Sequence, residues 1–321
     1  MKFGRMRMMA GVLVALGLLR GLAQAQQPLP AVNLGFTTFL DGAPPAGPGL
    51  YFQEYGQYYT AGTFKDQNGD VKRDPFGNEL LGDISAWISL NQLIYQSDQP
   101  VLLGAKWGID VIFPLVGLDV SSQSPLLAGS SSGGLGDILV GPYLQWDPIM
   151  GAKGPIFMHR IELQNMLPTG TYDDDRILNP GSNFYSFDPY WAATVFLMPE
   201  WTASWRAHYL WNAKNDDPFA LLQAEDTQAG QAVHVNFASE FEVKPKQVRI
   251  GVNGYYLKQF TNTEINGDGV PNSREQVLGI GPGLLYSFSQ DDHLFFNAYF
   301  EAAAENRPEG TRMNVRWTHH F

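Results

Sequence analysis

The stretch Trp201-Thr202-Ala203-Ser204-Trp205-Arg206-Ala207-His208-Tyr209-Leu210-Trp211 decides the fold class. Its odd positions carry Trp, Ala, Trp, Ala, Tyr and Trp, and its even positions Thr, Ser, Arg, His and Leu. A period of two marks a β-strand, because successive side chains on a strand point to opposite faces. One face here is apolar with rings at its ends, and the other is mostly polar. The same alternation sets Val233, Val235, Phe237, Phe241 and Val243 against His234, Asn236, Glu240 and Glu242. It sets Ile250, Val252, Gly254 and Tyr256 against Arg249, Gly251, Asn253 and Tyr255. At the end of the chain, Met313, Val315, Trp317, His319 and Phe321 alternate with Asn314, Arg316, Thr318 and His320. No long segment has a period of 3.6, and 34 Gly and 21 Pro weigh against helices.

Extending this reading along the chain gives about twelve alternating segments between residues 50 and 321, each longer than the usual strand. The links between them alternate in length. Ser97-Asp98-Gln99-Pro100, the turn over 148–154, Pro199, Lys244-Pro245-Lys246 and Gln290-Asp291-Asp292 are short, whereas 64–81, 116–135, 168–183, 213–230 and 261–275 are long. Short turns at one end and long loops at the other predict an all-β, up-and-down antiparallel transmembrane barrel of about twelve strands. An even count leaves both termini on one side. A soluble β-sandwich also alternates, but its strands are shorter. The paired rings Trp201 with Trp211 and Trp107 with Phe113 suit two interfacial girdles. Trp317 and the terminal Phe321 form the kind of aromatic last strand that outer-membrane barrel assembly machinery reads.

The composition of the 321 residues agrees. A net charge of −11 and a pI near 4.9 speak against nucleic acid as a partner. With 13% aromatic and only 17% charged residues the chain is not disordered, and the lack of Cys removes disulfides, thiolate zinc sites and a cysteine nucleophile. Lys2, Arg5 and Arg7 precede an uncharged apolar run over 8–19, followed by Ala23-Gln24-Ala25. Residues 1–25 therefore read as a cleaved secretory signal peptide. Segment 26–49, rich in Pro and Gly, is expected either to fold into the lumen as a plug or to form a periplasmic tail, and 50–321 is the barrel.

Several motifs point to one family. They are Pro48-Gly49-Leu50-Tyr51-Phe52, Gly133-Gly134-Leu135-Gly136-Asp137 with Val140-Gly141-Pro142, Pro168-Thr169-Gly170-Thr171-Tyr172, Asn183-Phe184-Tyr185-Ser186-Phe187-Asp188-Pro189, Val252-Asn253-Gly254-Tyr255-Tyr256, Gly279-Ile280-Gly281-Pro282 and Glu305-Asn306-Arg307-Pro308-Glu309-Gly310. In their order and spacing they resemble the outer-membrane family of the meta-pathway of phenol degradation, over nearly all of the mature chain. The resemblance implies passage of aromatic or other hydrophobic compounds across the outer membrane, and it brings no catalytic residues with it.

If the apolar faces meet lipid, the other faces line the lumen. The candidate lining comprises Lys106, Asp110, Tyr143, Arg160, Glu162, Asp188, Tyr190, Arg206, Glu240, Glu242, Arg249, Tyr255, Glu301 and Arg316. Mixed charges of this kind suit either an ion-pair network or a selectivity lining. Tyr51, Tyr55, Tyr58, Tyr59 and Tyr299 add rings with a polar handle, apt for phenol-like solutes. Glu264, Asn266, Asp268 and Glu275 fall on a calcium-loop spacing, but without flanking helices a solvated hairpin is the better reading. No G-x-S-x-G, H-E-x-x-H, P-loop or dinucleotide fingerprint occurs, so neither an enzyme nor a cofactor is expected. The expected partners are outer-membrane lipid and lipopolysaccharide, the barrel assembly machinery, and a small hydrophobic or aromatic solute. The rival functions are a structural or adhesive barrel without transport and a soluble periplasmic binding protein.

Overall fold

The computed structural model describes residues 28–42, 47–74, 77–80, 82–122, 131–176 and 178–321. The signal peptide expected over 1–25 lies outside the described residues. Twelve antiparallel strands form a closed transmembrane barrel. They are β1 (Gly49–Phe64), β2 (Asp83–Leu102), β3 (Ala105–Ser121), β4 (132–145), β5 (154–167), β6 (186–196), β7 (Trp201–Asn212), β8 (Ala232–Lys244), β9 (Val248–Gln259), β10 (Gln276–Ser287), β11 (Asp292–Glu305) and β12 (Pro308–His320). Each pairs with its neighbours in sequence, and β12 closes onto β1 from Tyr51↔His320 to Phe64↔Pro308. Closure leaves no sheet edge, which a strand wall in lipid requires.

The alternation in the sequence is the alternation of the wall. Along β7, Thr202, Ser204, Arg206, His208, Leu210 and Asn212 are buried in the lumen, while Trp201, Ala207, Tyr209 and Trp211 are exposed. The outward belt carries Trp87, Trp107, Trp191, Phe241, Phe296 and Trp317. The start of β1, the end of β12 and the short turns share one end of the barrel, called the near end below, where Phe321 N donates to Leu50 O. The other, loop end carries long connections that are partly ordered by a small sheet of Lys214–Asn215, Thr227–Gln228, Glu264–Ile265 and Asp268–Gly269.

Several boundaries differ from the sequence reading, and the link expected over 116–135 is shorter because β3 runs on to Ser121 and β4 begins at Ser132. β2 runs through Ser97–Pro100 to Leu102, with a register shift between Gln96 and Leu102, and the turn is Leu103-Gly104. Both turn residues have positive φ, 51° and 75°, the geometry that matches a two-residue turn to the twist of its strands. The last link at the loop end shortens to Asn306-Arg307, again with positive φ at Asn306.

The wall is irregular at β3–β6. Pro114, Pro142 and Pro189 have no N–H to offer a neighbour, so the ladder is interrupted around them, and at Pro114 its register steps by one residue. Gly136 N donates to Pro114 O, Leu163 N to Pro142 O, and Tyr209 N to Pro189 O. At the break in β4, Asp137 turns aside and accepts hydrogen bonds from Gly170 N, Ser182 N and Ser182 Oγ. That anchors the loop over 168–185 against the lumen.

Residues 28–42 touch strands all round the ring. Gly35 N donates to Asn236 Oδ1 on β8 at 2.9 Å, while Gly35 O accepts from Tyr299 Oη on β11 and Asn314 Nδ2 on β12. Gly42 N donates to Thr194 Oγ1 on β6, and Gly42 O accepts from Gln145 Nε2 on β4. Phe39 is buried with Ala238, Leu285 and Phe295. A segment with partners on opposite walls lies inside the barrel.

Candidate functional site

Residues 28–42 divide the lumen into two spaces. Toward the loops is a cavity of about 320 Å³ walled by Ile84, Ile88, Ile112, Val116 and Leu139 and floored by Leu29 to Thr37 of the segment. Toward the near end is a cavity of about 700 Å³ lined by Arg160, Arg206, Arg249 and Arg316 together with Tyr51, Tyr55 and Phe295, with Phe39 to Asp41 as its ceiling.

Between the two lies a polar cluster built by β3 to β7. Arg206 grips Asp41 of the segment through Nε at 3.0 Å and Nη2 at 2.6 Å. Both side chains are buried, so removing either partner would strand the other charge, at a cost of about 3–5 kcal/mol. Tyr190 is packed between two guanidinium groups, 4.2 Å from Arg206 and 5.5 Å from Arg160. Its hydroxyl accepts from Arg160 and donates to Glu162. Arg160 also lies 4.9 Å over Tyr143 and pairs with Glu162 at 3.5 Å. Asp110 accepts from Gln92 Nε2 at 2.6 Å. A Cβ at residue 141 would strike Glu162 Oε1 and Asp110 Oδ1, so Gly141 is what lets the two carboxyls approach the wall.

A second cluster joins β1, β9, β11 and β12 beneath the loop end. Glu301 accepts from Tyr59, Tyr255, Arg312 and Gly310 N. Arg312 lies 4.3 Å over Tyr59. Above it, in the loop before β10, Glu275 accepts from Leu29 N at 3.1 Å and faces Arg307 at 3.4 Å. Burial pushes the Glu275 carboxyl above its ordinary value, and the Arg307 guanidinium opposes the rise.

Asp188 sits at the β6 break and contacts His208 Nδ1 and His234 Nε2, each at 3.1 Å. The two imidazoles are cross-strand partners, stacked at 4.0 Å with 17° between their planes. Asp188, His208 and His234 are the one trio of potential metal ligands gathered among the described residues. Both ring nitrogens converge on Asp188 Oδ2, from His208 Nδ1 at 3.1 Å and His234 Nε2 at 3.3 Å. The arrangement is a carboxylate clamp when each imidazole donates its N–H to Asp188.

Residues 61–317 match the family model "Putative MetA-pathway of phenol degradation". The chain belongs to this family. Among solved structures it is similar to an outer membrane channel from Pseudomonas putida F1, with a TM-score of 0.74 and 17% identity over 91% of this chain and 100% of that one. At such identity the likeness is one of fold. The β domain of the Bordetella autotransporter BrkA aligns with a TM-score of 0.46 and 11% identity over 86% of this chain and 100% of that one. A mutant of the TodX monoaromatic hydrocarbon channel aligns at 0.47 and 7% over 87% and 91%. No curated protein matches the sequence.

Within this phenol-degradation-family barrel, the residues singled out by alternation fall into distinct places. Asp110, Tyr143, Arg160, Glu162, Tyr190 and Arg206 come together as the central cluster, and Tyr255 and Glu301 meet in the second. Lys106 stands apart at the near rim, paired with Asp147 at 2.6 Å. Glu240 is buried on β8 next to the cluster's β7, accepting from Thr202 Oγ1, and Arg249 pairs with Glu242 at 3.6 Å. Tyr58 is a correction to the ring list. It stands on the outward parity of β1 and packs on Trp87 at 4.3 Å. The calcium-loop spacing is not used either. Asn266 Oδ1 accepts from Glu225 N and Asp226 N, Glu264 and Asp268 flank a tight hairpin turn, and Glu275 points toward Leu29 and Arg307.

Sequence reasoning missed Asp41, Arg312 and the His208–His234 pairing. Arg312 shares the parity of Asn314 and Arg316, so extending the β12 pattern by one step would have found it. Asp41 lies in a segment with no periodicity to read. The His pairing depends on the β7–β8 register.

Proposed function

We propose that this protein is a passive channel of the outer membrane for small aromatic or other hydrophobic compounds, with residues 28–42 forming its constriction. The observation that carries the reading is the Asp41–Arg206 grip, which holds a chain segment across a lumen with a cavity on either side. Membership of the phenol-degradation family supports the solute class. The aliphatic wall of the loop-end cavity suits an uncharged ring, which gains by leaving water. Movement down a gradient needs neither nucleotide nor redox cofactor. Export through a signal peptide over 1–25, insertion by the barrel assembly machinery through Trp317 and Phe321, and lipopolysaccharide around the acidic loops complete the picture.

The test is solute flux in liposomes holding the full chain or a variant lacking residues 28–42. Phenol and toluene should pass through the full chain, and the deletion should raise ionic conductance. A barrel that is heat-modifiable on gels yet admits neither solute would favour a structural or adhesive role. Equal conductance with and without the segment would remove it from the constriction.

A further inference from the structure

Six arginines in and above the lumen are buried or half-buried, and all but one are matched with an acid. Arg160 meets Glu162, Arg206 meets Asp41, Arg249 meets Glu242, Arg307 meets Glu275 and Arg312 meets Glu301, all within 3.6 Å. Arg316, on β12 and 7% exposed, has no carboxylate within 4.0 Å among the described residues, and its Nε is buried without a hydrogen-bond partner. A guanidinium withdrawn from bulk water without a counter-charge is costly, so proteins pair such groups or supply them with a ligand.

What holds Arg316 is aromatic. Its Cζ lies 3.6 Å over the Phe295 ring and 5.7 Å from that of Tyr55. The near-end cavity that it lines has a volume of about 700 Å³, within the range of small-molecule sites, and it is bounded by apolar side chains as well as by cations. Phe39 and Leu285 lie beside Phe295 there.

We propose that this cavity binds a small aromatic carboxylate, with Arg316 taking the carboxylate and the surfaces around Phe295 and Tyr55 receiving the ring. A planar guanidinium matches a carboxylate in two parallel hydrogen bonds. One unpaired buried guanidinium calls for a monoanion. An inorganic anion would satisfy Arg316 but leave the aromatic and aliphatic walls unused. The proposal deepens the channel reading and rests on it, since it adds the anionic form of an aromatic solute to what the barrel admits at its near end.

The experiment is calorimetric titration of the full-length protein folded in detergent micelles with benzoate, benzyl alcohol and acetate. Benzoate should bind about 10- to 100-fold more tightly than benzyl alcohol, the worth of a charge-assisted hydrogen bond. Acetate should bind more weakly than benzoate. Arg316→Gln should abolish the preference for benzoate over benzyl alcohol, and Arg316→Lys should keep part of it. Heat-modifiable mobility confirms that each variant has folded. If Arg316→Gln does not fold, Phe295→Leu takes its place, and it should weaken benzoate while leaving acetate unchanged. Equal binding of benzoate and benzyl alcohol, or acetate binding as tightly as benzoate, would overturn the assignment. Toluene flux is measured separately. A barrel that passes toluene without preferring benzoate refutes the carboxylate site alone, and one that binds benzoate but passes no toluene refutes the channel alone.

Discussion

The two cavities of the lumen share one wall yet differ in where their aliphatic and charged groups gather. Toward the loops, β2 to β4 present Ile84, Ile88, Ile112, Val116 and Leu139, and toward the near end the wall presents Arg160, Arg206, Arg249 and Arg316. The difference is one of height along the strand, not of face. On β3 the inward parity passes from Asp110 to Ile112 in one step. A polar lumen face is thus not a uniform property of a strand, and a solute crossing the barrel meets first one environment and then the other. Residues 28–42 keep the two apart.

The largest expected effect comes from removing that partition. Asp41→Ala leaves Arg206 buried without its partner and should cost about 3 kcal/mol, read as a lower denaturant midpoint and higher conductance. Replacing the pair together, Asp41→Leu with Arg206→Met, should recover most of the stability. An Asp41→Ala protein with unchanged midpoint and conductance would mean that the two cavities are not held apart by this grip. Gly35→Ala tests the same partition sterically. Gly35 has φ +80° and an added Cβ would lie 2.6 Å from the Tyr299 ring, so a loss of about 1–3 kcal/mol is expected, with faster proteolysis of the segment.

A smaller effect should separate the halves functionally. Ile88→Trp fills the loop-end cavity and should reduce toluene flux severalfold, while near-end binding of benzoate stays as in the parent. Matching losses at both ends would merge the two sites into one. The smallest effect concerns Glu275, where the start of the segment docks beneath the loops. Its carboxyl is raised in the folded state, chiefly by burial. The folded protein therefore holds this proton more tightly than the unfolded chain does. Stability should improve as pH falls through the raised folded value toward that of an unfolded carboxylate. The difference in thermal midpoint between the parent and Glu275→Gln should shift in the parent's favour over that window, and a pH-independent difference would argue against it.

Much of this was legible in the order of residues. The period of two along 201–211, 233–243 and 313–321 identifies strands, their inward parity and a wall that faces lipid. The alternation of short and long links orients the barrel. Arg206, Glu162 and Tyr190 are readable as inward residues for the same reason. Their convergence is not, because it depends on β5, β6 and β7 standing side by side in a register that is kept across the interruptions at Pro142 and Pro189. Ser97–Pro100 reads as a turn because Pro and polar residues usually mark one, yet the chain turns at Leu103-Gly104, where positive φ settles the geometry.

Fold class and facing are written locally, since a side chain's face on a strand depends only on its parity. Partnership is not local. Asp41 finds Arg206 across 165 positions of sequence, and Arg316 is left without an acid where five other buried or half-buried arginines have one. Those outcomes arise only when the barrel closes and fills its own lumen, because closure sets which charges share a desolvated space and which one is left for a ligand.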